Sequence, residues 1–455
     1  MDNIWAGALI FFLLIVYILD RLFTNNKYSP VRVFSIWWFC VILMSLFPVW
    51  GRKIASNETY MTILLAVLFF MVGCLSTNLL KKNKHTCTEY TPQGETYLND
   101  AYINVRIITV VNIIVLLMIV VLFVRSFQIY GLQMFLNIGG ARNDIYNGDT
   151  IVTSTIEEYL HSYLLRGTLF LDVVILPFLY FGGKKYKKMF VFSLVNILLY
   201  TFIYGGRMFV FYAGAILYFG MKIAGTLNEH YGTRKNASFI LHFKKGNKKN
   251  RQLKILIVVL IVVIVLLTFS RNNSSHSNGL VYFIEKSITY FSTSPIYYEL
   301  LQDITTVEEQ AGFQFSFIGG LISFFAHFNS IVGFELFKDS VGEVCQHMTS
   351  NLVNAGGSVW TNAFPTMVYI FRFDFGLLGV AFNSFLFGAV AQYSYIKLRV
   401  RKSARAFLIY MIALYFIFES PMRWTGLQFW PYFVLFLIYL STRPEKAGRY
   451  VKKLI

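Results

Sequence analysis

The residue type on which this sequence concentrates its chemistry is arginine. Six segments hold 30 of the 41 lysines and arginines: Arg21 to Arg32, Lys81 to Arg106, Lys184 to Lys188, Lys222 to Lys254, Lys397 to Arg405 and Arg443 to Lys453. Within them lysine outnumbers arginine twenty to ten. Of the eleven that remain, eight are arginine: Arg52, Arg125, Arg142, Arg166, Arg207, Arg271, Arg372 and Arg423. Lysine serves wherever positive charge alone is needed, whereas a planar guanidinium with several fixed donors grips a carboxylate or phosphate in a defined geometry. The switch marks the second set as candidate contacts for an anionic ligand, above all a lipid-linked phosphate or pyrophosphate. Pairing with nearby carboxylates is the competing reading, since Arg372 neighbours Asp374, Arg423 lies near Glu419, and Arg166 stands six residues from Asp172.

The elements that position these arginines are membrane helices. A chain of 455 residues that is 56% hydrophobic and only 14% charged is too apolar for a soluble globule. Apolar runs suited to spanning helices lie at Ile4 to Phe23, Val31 to Val49, Tyr60 to Leu80, Ile107 to Phe127, Leu164 to Phe181, Met189 to Tyr204, Met208 to Met221, Leu253 to Phe269, Thr366 to Ile396, Ala406 to Phe418 and Gln428 to Leu440. The long ninth run begins as an outer-face segment and becomes a helix near Phe375. The first run follows Asp2, without a basic leader or cleavage pattern, and reads as a retained span.

The six basic segments are every second loop plus the C-terminus, so the N-terminus is expected outside and the C-terminus in the cytoplasm. Seventeen of the 23 acidic residues then fall outside. The net charge of +18 is a topology signal, with anionic lipid as its partner and no nucleic acid required. The expected fold is an all-α polytopic membrane protein in one integral domain. Its outer loop spans 128–163, its basic cytoplasmic loop 222–254, and its long outer loop 270–365.

Three stretches stand out on the outer side. Gly205-Gly206-Arg207 is the turn of a hairpin whose arms, about 15 apolar residues each, fall short of the ~20 that cross a bilayer unaided. An arginine there either snorkels to headgroups or turns toward a ligand. The polar run Ile138 to Gly148 contains Arg142. The run Gly356 to Gly379 mixes Thr361-Asn362, Phe364-Pro365 and Arg372-Phe373-Asp374-Phe375-Gly376, with aromatics interleaved among polar groups as in sugar-stacking sites and in interfacial belts alike. Ser316 to Phe337 reads as a re-entrant or interfacial helix, because counting it as one span breaks the charge alternation.

Candidate proton acceptors are His327, Glu419 and Asp374, with His161 a weaker one. Cys40, Cys74, Cys87 and Cys345 show no metal-ligand or disulfide spacing. Nucleotide-binding loops and hydrolase motifs are missing, so no metal or cofactor is expected and the substrate must arrive activated.

The order of these features resembles the bacterial oligosaccharide repeat-unit polymerases, the O-antigen polymerase (Wzy-type) group that includes the enterobacterial common antigen polymerase. The matching parts are Gly205-Gly206-Arg207, the long outer loop, and Thr361-Asn362, Phe364-Pro365, Asp374-Phe375-Gly376 and Gly379. As topology the likeness covers most of the chain; as motif it covers only these residues. It implies a GT-C-like, metal-independent glycosyltransferase in the bacterial cytoplasmic (inner) membrane. That enzyme would pass a glycan from undecaprenyl pyrophosphate to a sugar hydroxyl of a new lipid-linked repeat unit, with a chain-length regulator and a flippase as partners. Arg207 and Asp374 are carried over from the motif. Arg142, Arg166, Arg271, Arg372 and Arg423 are chosen by placement as pyrophosphate or glycan contacts. A lipid-linked oligosaccharide flippase, a glycan ligase and a non-catalytic scaffold of an export complex are the alternatives.

Overall fold

The computed structural model describes residues 4–23, 28–85, 103–131, 154–181, 186–204, 208–229, 255–256, 258–266, 279–304, 315–332, 353–357, 359–361, 365–401 and 403–442. In chain order its helices are α1 (Ile4–Phe23), α2 (Pro30–Ser45), α3 (Asn57–His85), α4 (Val105–Tyr130), α5 (Thr155–Tyr159), a π turn (Leu160–Leu165), α6 (Arg166–Phe181), α7 (Lys187–Tyr204) and α8 (Met208–Glu229). They continue as α9 (Gly279–Ser292), α10 (Ser294–Ile304), α11 (Gly319–Val332), α12 (Thr366–Phe371), α13 (Leu377–Arg401), α14 (Ala404–Glu419) and α15 (Trp430–Ser441). A two-residue antiparallel ladder pairs β1 (Val353–Asn354) with β2 (Trp360–Thr361).

Seven helices among the described residues are long and apolar enough to cross a membrane: α1, α3, α4, the continuous run Ile156–Phe181, α7, α8 and α13. Each of the eleven runs read from the sequence contains helix where described, yet α2, α14 and α15 are shorter than a full crossing. Proline bounds all three: Pro30 starts α2, Pro421 follows α14, and Pro431 stands in the first turn of α15. The run 253–269 is described only at 255–256 and 258–266, where it is helical. The hairpin arms are longer than their hydropathy indicates, 18 residues in α7 and 22 in α8. Lysines at the feet continue the helix, because hydropathy marks the lipid-embedded part and lysine is a good helix former. The long run at 366–396 does break, and the spanning helix starts at Leu377.

Helix α4 shows why lipid is the medium. Asn112, Val115, Ile119, Leu122 and Ser126 line its buried face, while Val110, Ile113, Leu117, Val121 and Val124 are exposed. Polar residues face protein and large aliphatics face out, a pattern that water would not tolerate and a bilayer favours.

The chain forms two compact units. Unit 1 comprises Met1–Glu89, Asn273–Tyr395 and Ala413–Pro431. Its turn between α1 and α2 is closed by Arg32 and Asp20 at 2.9 Å. Phe34 stacks on Phe70 at 3.8 Å between ring centroids, and Phe387 links that pair to Trp424. Adjacent tryptophans on α2 donate to the end of α14, Trp37 to the Phe418 carbonyl and Trp38 to the Ser420 hydroxyl. Unit 2 comprises Tyr90–Asn272, Ile396–Ile412 and Tyr432–Ile455. Nearly all of α6 is buried, so this helix is the unit's core. Asp172 on α6 accepts from Ser193 (2.7 Å) and Asn196 (3.5 Å) on α7, and Asn196 donates to Asn112 on α4 at 2.7 Å. Hydrogen bonds of this kind join spanning helices that have no hydrophobic drive to associate in lipid.

Candidate functional site

Unit 1 holds four of the described candidates, Arg372, Asp374, Glu419 and Arg423, on two segments that are laced together. The Thr366 and Met367 amides, at the start of α12, donate to the Met422 and Ser420 carbonyls at 2.9 Å. Trp424 donates its indole N–H to the Phe317 carbonyl at 3.1 Å, and the rings of Phe317, Phe371 and Trp424 pack together. These ties fix three short pieces against one another: the residues around Ser316, the break at 372–376, and the turn after α14.

The glycine pattern of the 374–379 run has a steric cause. Gly376 has φ +64°, a conformation that a Cβ disfavours. At Gly379 an added Cβ would sit 1.5 Å from the Asp374 carbonyl oxygen, so the first turn of α13 lies against the loop that precedes it. Asp374 is buried, and its carboxylate accepts from the Ser316 amide (2.9 Å) and from Asn383 on α13 (2.7 Å). It pins the entry to α11 against the head of α13. Arg372 does not pair with it, although the two are two residues apart.

Instead, one Nη of Arg372 donates to the Tyr298 hydroxyl at 3.2 Å. Tyr298, on α10, is fully buried and also meets Thr62 and Gln302. Burial raises its pKa, against the pull of the Arg372 charge, so the phenol stays neutral and supplies no countercharge. The half-buried guanidinium therefore has no carboxylate partner among the described residues.

The other described arginines of the outer set are occupied differently. Arg423 pairs with the buried Glu419 at 2.6 Å, and Glu419 also takes the Thr425 hydroxyl, so this carboxylate closes the turn after α14. Arg125 makes two bonds to Glu157, at 2.8 and 2.9 Å. Arg52, not singled out by the sequence, is buried and donates to the carbonyls of Ser45 (2.8 Å), Phe47 (2.7 Å) and Ser292 (2.8 Å). It caps the C-terminal ends of α2 and α9, where a cation meets orphan carbonyls, and burial lowers its pKa. Glu299, also unforeseen, accepts from the Ser56 amide and the Thr59 hydroxyl at the head of α3.

Arg166 opens α6, and the pair with Asp172 that stood as the competing reading does not form. Six residues at 3.6 per turn place the two on different sides of a helix, and Asp172 turns to Ser193 and Asn196. His161 lies in the π turn with its ring 5.1 Å from that of Tyr204. His327 falls on α11, at a position whose side chain is outside the described residues, as are Arg142, Arg207 and Arg271. Neither Tyr298 nor Gln302 was legible beforehand, since a tyrosine 74 residues from its arginine leaves no local signal. No family model, no curated protein and no solved structure matches this chain, so the assignment rests on its own residues.

Proposed function

We propose that this membrane protein is a glycosyltransferase that polymerises undecaprenyl-pyrophosphate-linked oligosaccharide repeat units at the outer face of the bacterial cytoplasmic membrane. The observation that carries the reading is Arg372, a half-buried guanidinium with a neutral partner and, among the described residues, no carboxylate, just before a spanning helix. In the proposed reaction the acceptor sugar hydroxyl attacks the anomeric carbon of the donor glycan. The bond from that carbon to the pyrophosphate oxygen breaks, and undecaprenyl pyrophosphate leaves with the developing charge. Arg372 stabilises that charge through donors already in place. The acceptor's proton goes to His327, because the two described carboxylates, Asp374 and Glu419, already accept hydrogen bonds that hold the backbone. Asp374, Arg423 and Glu419 act as positioning residues.

The test replaces Arg372 by Ala and by Lys in cells making the surface glycan. Accumulation of single lipid-linked repeat units without laddered polymer is the expected result. A normal ladder from normally abundant protein removes Arg372 from the site, and repeat units trapped on the cytoplasmic side assign the protein to export instead.

A further inference from the structure

Inside unit 2 a carboxylate sits among side chains that carry no charge. Asp172 on α6, Asn112 on α4, and Ser193 and Asn196 on α7 are each fully buried. Asn196 stands midway along the spanning helix α7, so the group lies deep in the bilayer, where a side chain as short as aspartate's cannot reach the headgroups. Asp172 accepts from Ser193 and Asn196, and Asn112 also meets it. Among the described residues no lysine, arginine or histidine reaches it. Other carboxylates of this protein do have a cation, Arg32 for Asp20 and Arg423 for Glu419.

The hydrogen bonds of the cluster leave one acceptor over. Asn112 Nδ2 donates to the Ile108 carbonyl at 3.1 Å, which turns the Asn112 oxygen toward Asn196. Asn196 must then present its nitrogen, which donates to that oxygen at 2.7 Å and lies 3.5 Å from the Asp172 carboxylate. Asn196 Oδ1 is buried with no hydrogen-bond partner, a costly state for an acceptor. A water would satisfy that oxygen and leave the carboxylate without a countercharge, whereas a cation serves both.

Charge and ligand type select the ion. The ligating atoms on offer are oxygens, which suit hard cations. Beside a single carboxylate, a divalent ion would leave net positive charge in the hydrocarbon region and a monovalent ion leaves none. Separations of 2.7–3.5 Å between the side chains frame a small ion, sodium before potassium. Turning the Asn196 carboxamide over exchanges nitrogen for oxygen without changing its shape. Oxygens from Asp172, Asn112, Asn196 and Ser193 then converge from three helices.

We propose that Asp172, Asn112, Ser193 and Asn196 bind a sodium ion that clamps α4, α6 and α7 together. The site is separate from the proposed glycosyl transfer, whose described residues belong to unit 1.

The full chain in phosphatidylcholine nanodiscs is assayed for radiolabelled sodium by scintillation proximity, against empty nanodiscs. Its thermal melting is followed in sodium chloride and in choline chloride of equal ionic strength. The parent chain is expected to bind the label saturably and to melt higher in sodium than in choline. Asp172→Asn is expected to lose the sodium response and to bind at least ~10-fold more weakly, while melting close to the parent in choline. Ser193→Ala is expected to weaken binding in the same direction. Absence of saturable binding by the parent overturns the site, whatever the variants do, and so does binding undiminished in both variants. Potassium that displaces the label as well as sodium does overturns the choice of ion. Melting that rises on acidification in choline and ignores sodium would make Asp172 a protonated carboxyl, and that result overturns the proposal too.

Discussion

Arg125, within α4 of unit 2, and Arg372, just past α12 in unit 1, are the same residue type and have opposite electrostatic fates. Arg125 is locked to Glu157 by two hydrogen bonds, whereas Arg372 has, among the described residues, the neutral Tyr298 and no carboxylate. An arginine at a membrane face is therefore not in itself a ligand contact; a neutral partner in place of a carboxylate is what leaves charge for one. The carboxylates divide in a parallel way. Asp172 joins spanning helices through side chains alone, while Asp374 holds a backbone amide and so fixes the course of a loop.

The comparison is sharpest where the two regions should respond unequally. The largest effect is expected for Gly379→Ala, because the added methyl meets backbone, which cannot yield as a side chain can. Size-exclusion chromatography should show little folded protein, and a well-behaved peak would mean that the head of α13 is not built as described. Next, Arg372→Ala should lower polymerisation by about a hundredfold or more, the usual scale for losing a transition-state donor. Arg125→Ala should stay within about threefold, since solvent screens an ion pair at the surface. Equal losses in initial rates would erase the distinction.

A smaller gap should separate the two aspartates. Asp374→Ala leaves the Ser316 amide and the Asn383 side chain without their acceptor, for roughly 1–3 kcal/mol of stability. Asp172→Asn keeps an oxygen for Ser193 and removes a buried charge, so thermal melting should move little. Reversal of that order would make Asp172 the more demanding site. Least disruptive of all, single cysteines at Leu378 and Arg399 in a cysteine-free background should leave activity near normal. They lie at opposite ends of α13, and an impermeant maleimide should reach only one of them from the outside.

Hydropathy made the spans legible because a bilayer demands long apolar runs, and Gly376 together with Pro365 announced the break before α13. The Arg423 and Glu419 pair was legible too, being four residues apart at a helix end. The competing pairing of Arg166 with Asp172, suggested by sequence proximity, fails on helical phase. Arg52 looked like one more outer charge, and only the structure shows that the ends of α2 and α9 take it up. Tyr298, the partner of Arg372, and Ser316, whose amide Asp374 accepts, lie 74 and 58 residues away in sequence, and no local spacing encodes such pairings.

The π turn at Leu160–Leu165 carries a consequence for the alignment of unit 2. A π turn holds an additional residue per turn, so it offsets the angular phase of α5 from that of α6 by about 100°, the rotation of one residue at 3.6 per turn. The segment below it buries nearly every side chain, and the segment above it offers Glu157 to Arg125. Deleting a single residue from the turn would restore an uninterrupted α-helix and leave α6 seated as it is. Everything N-terminal to the deletion would rotate, carrying Glu157 away from its arginine. One added residue thus lets a single rod obey two different neighbours.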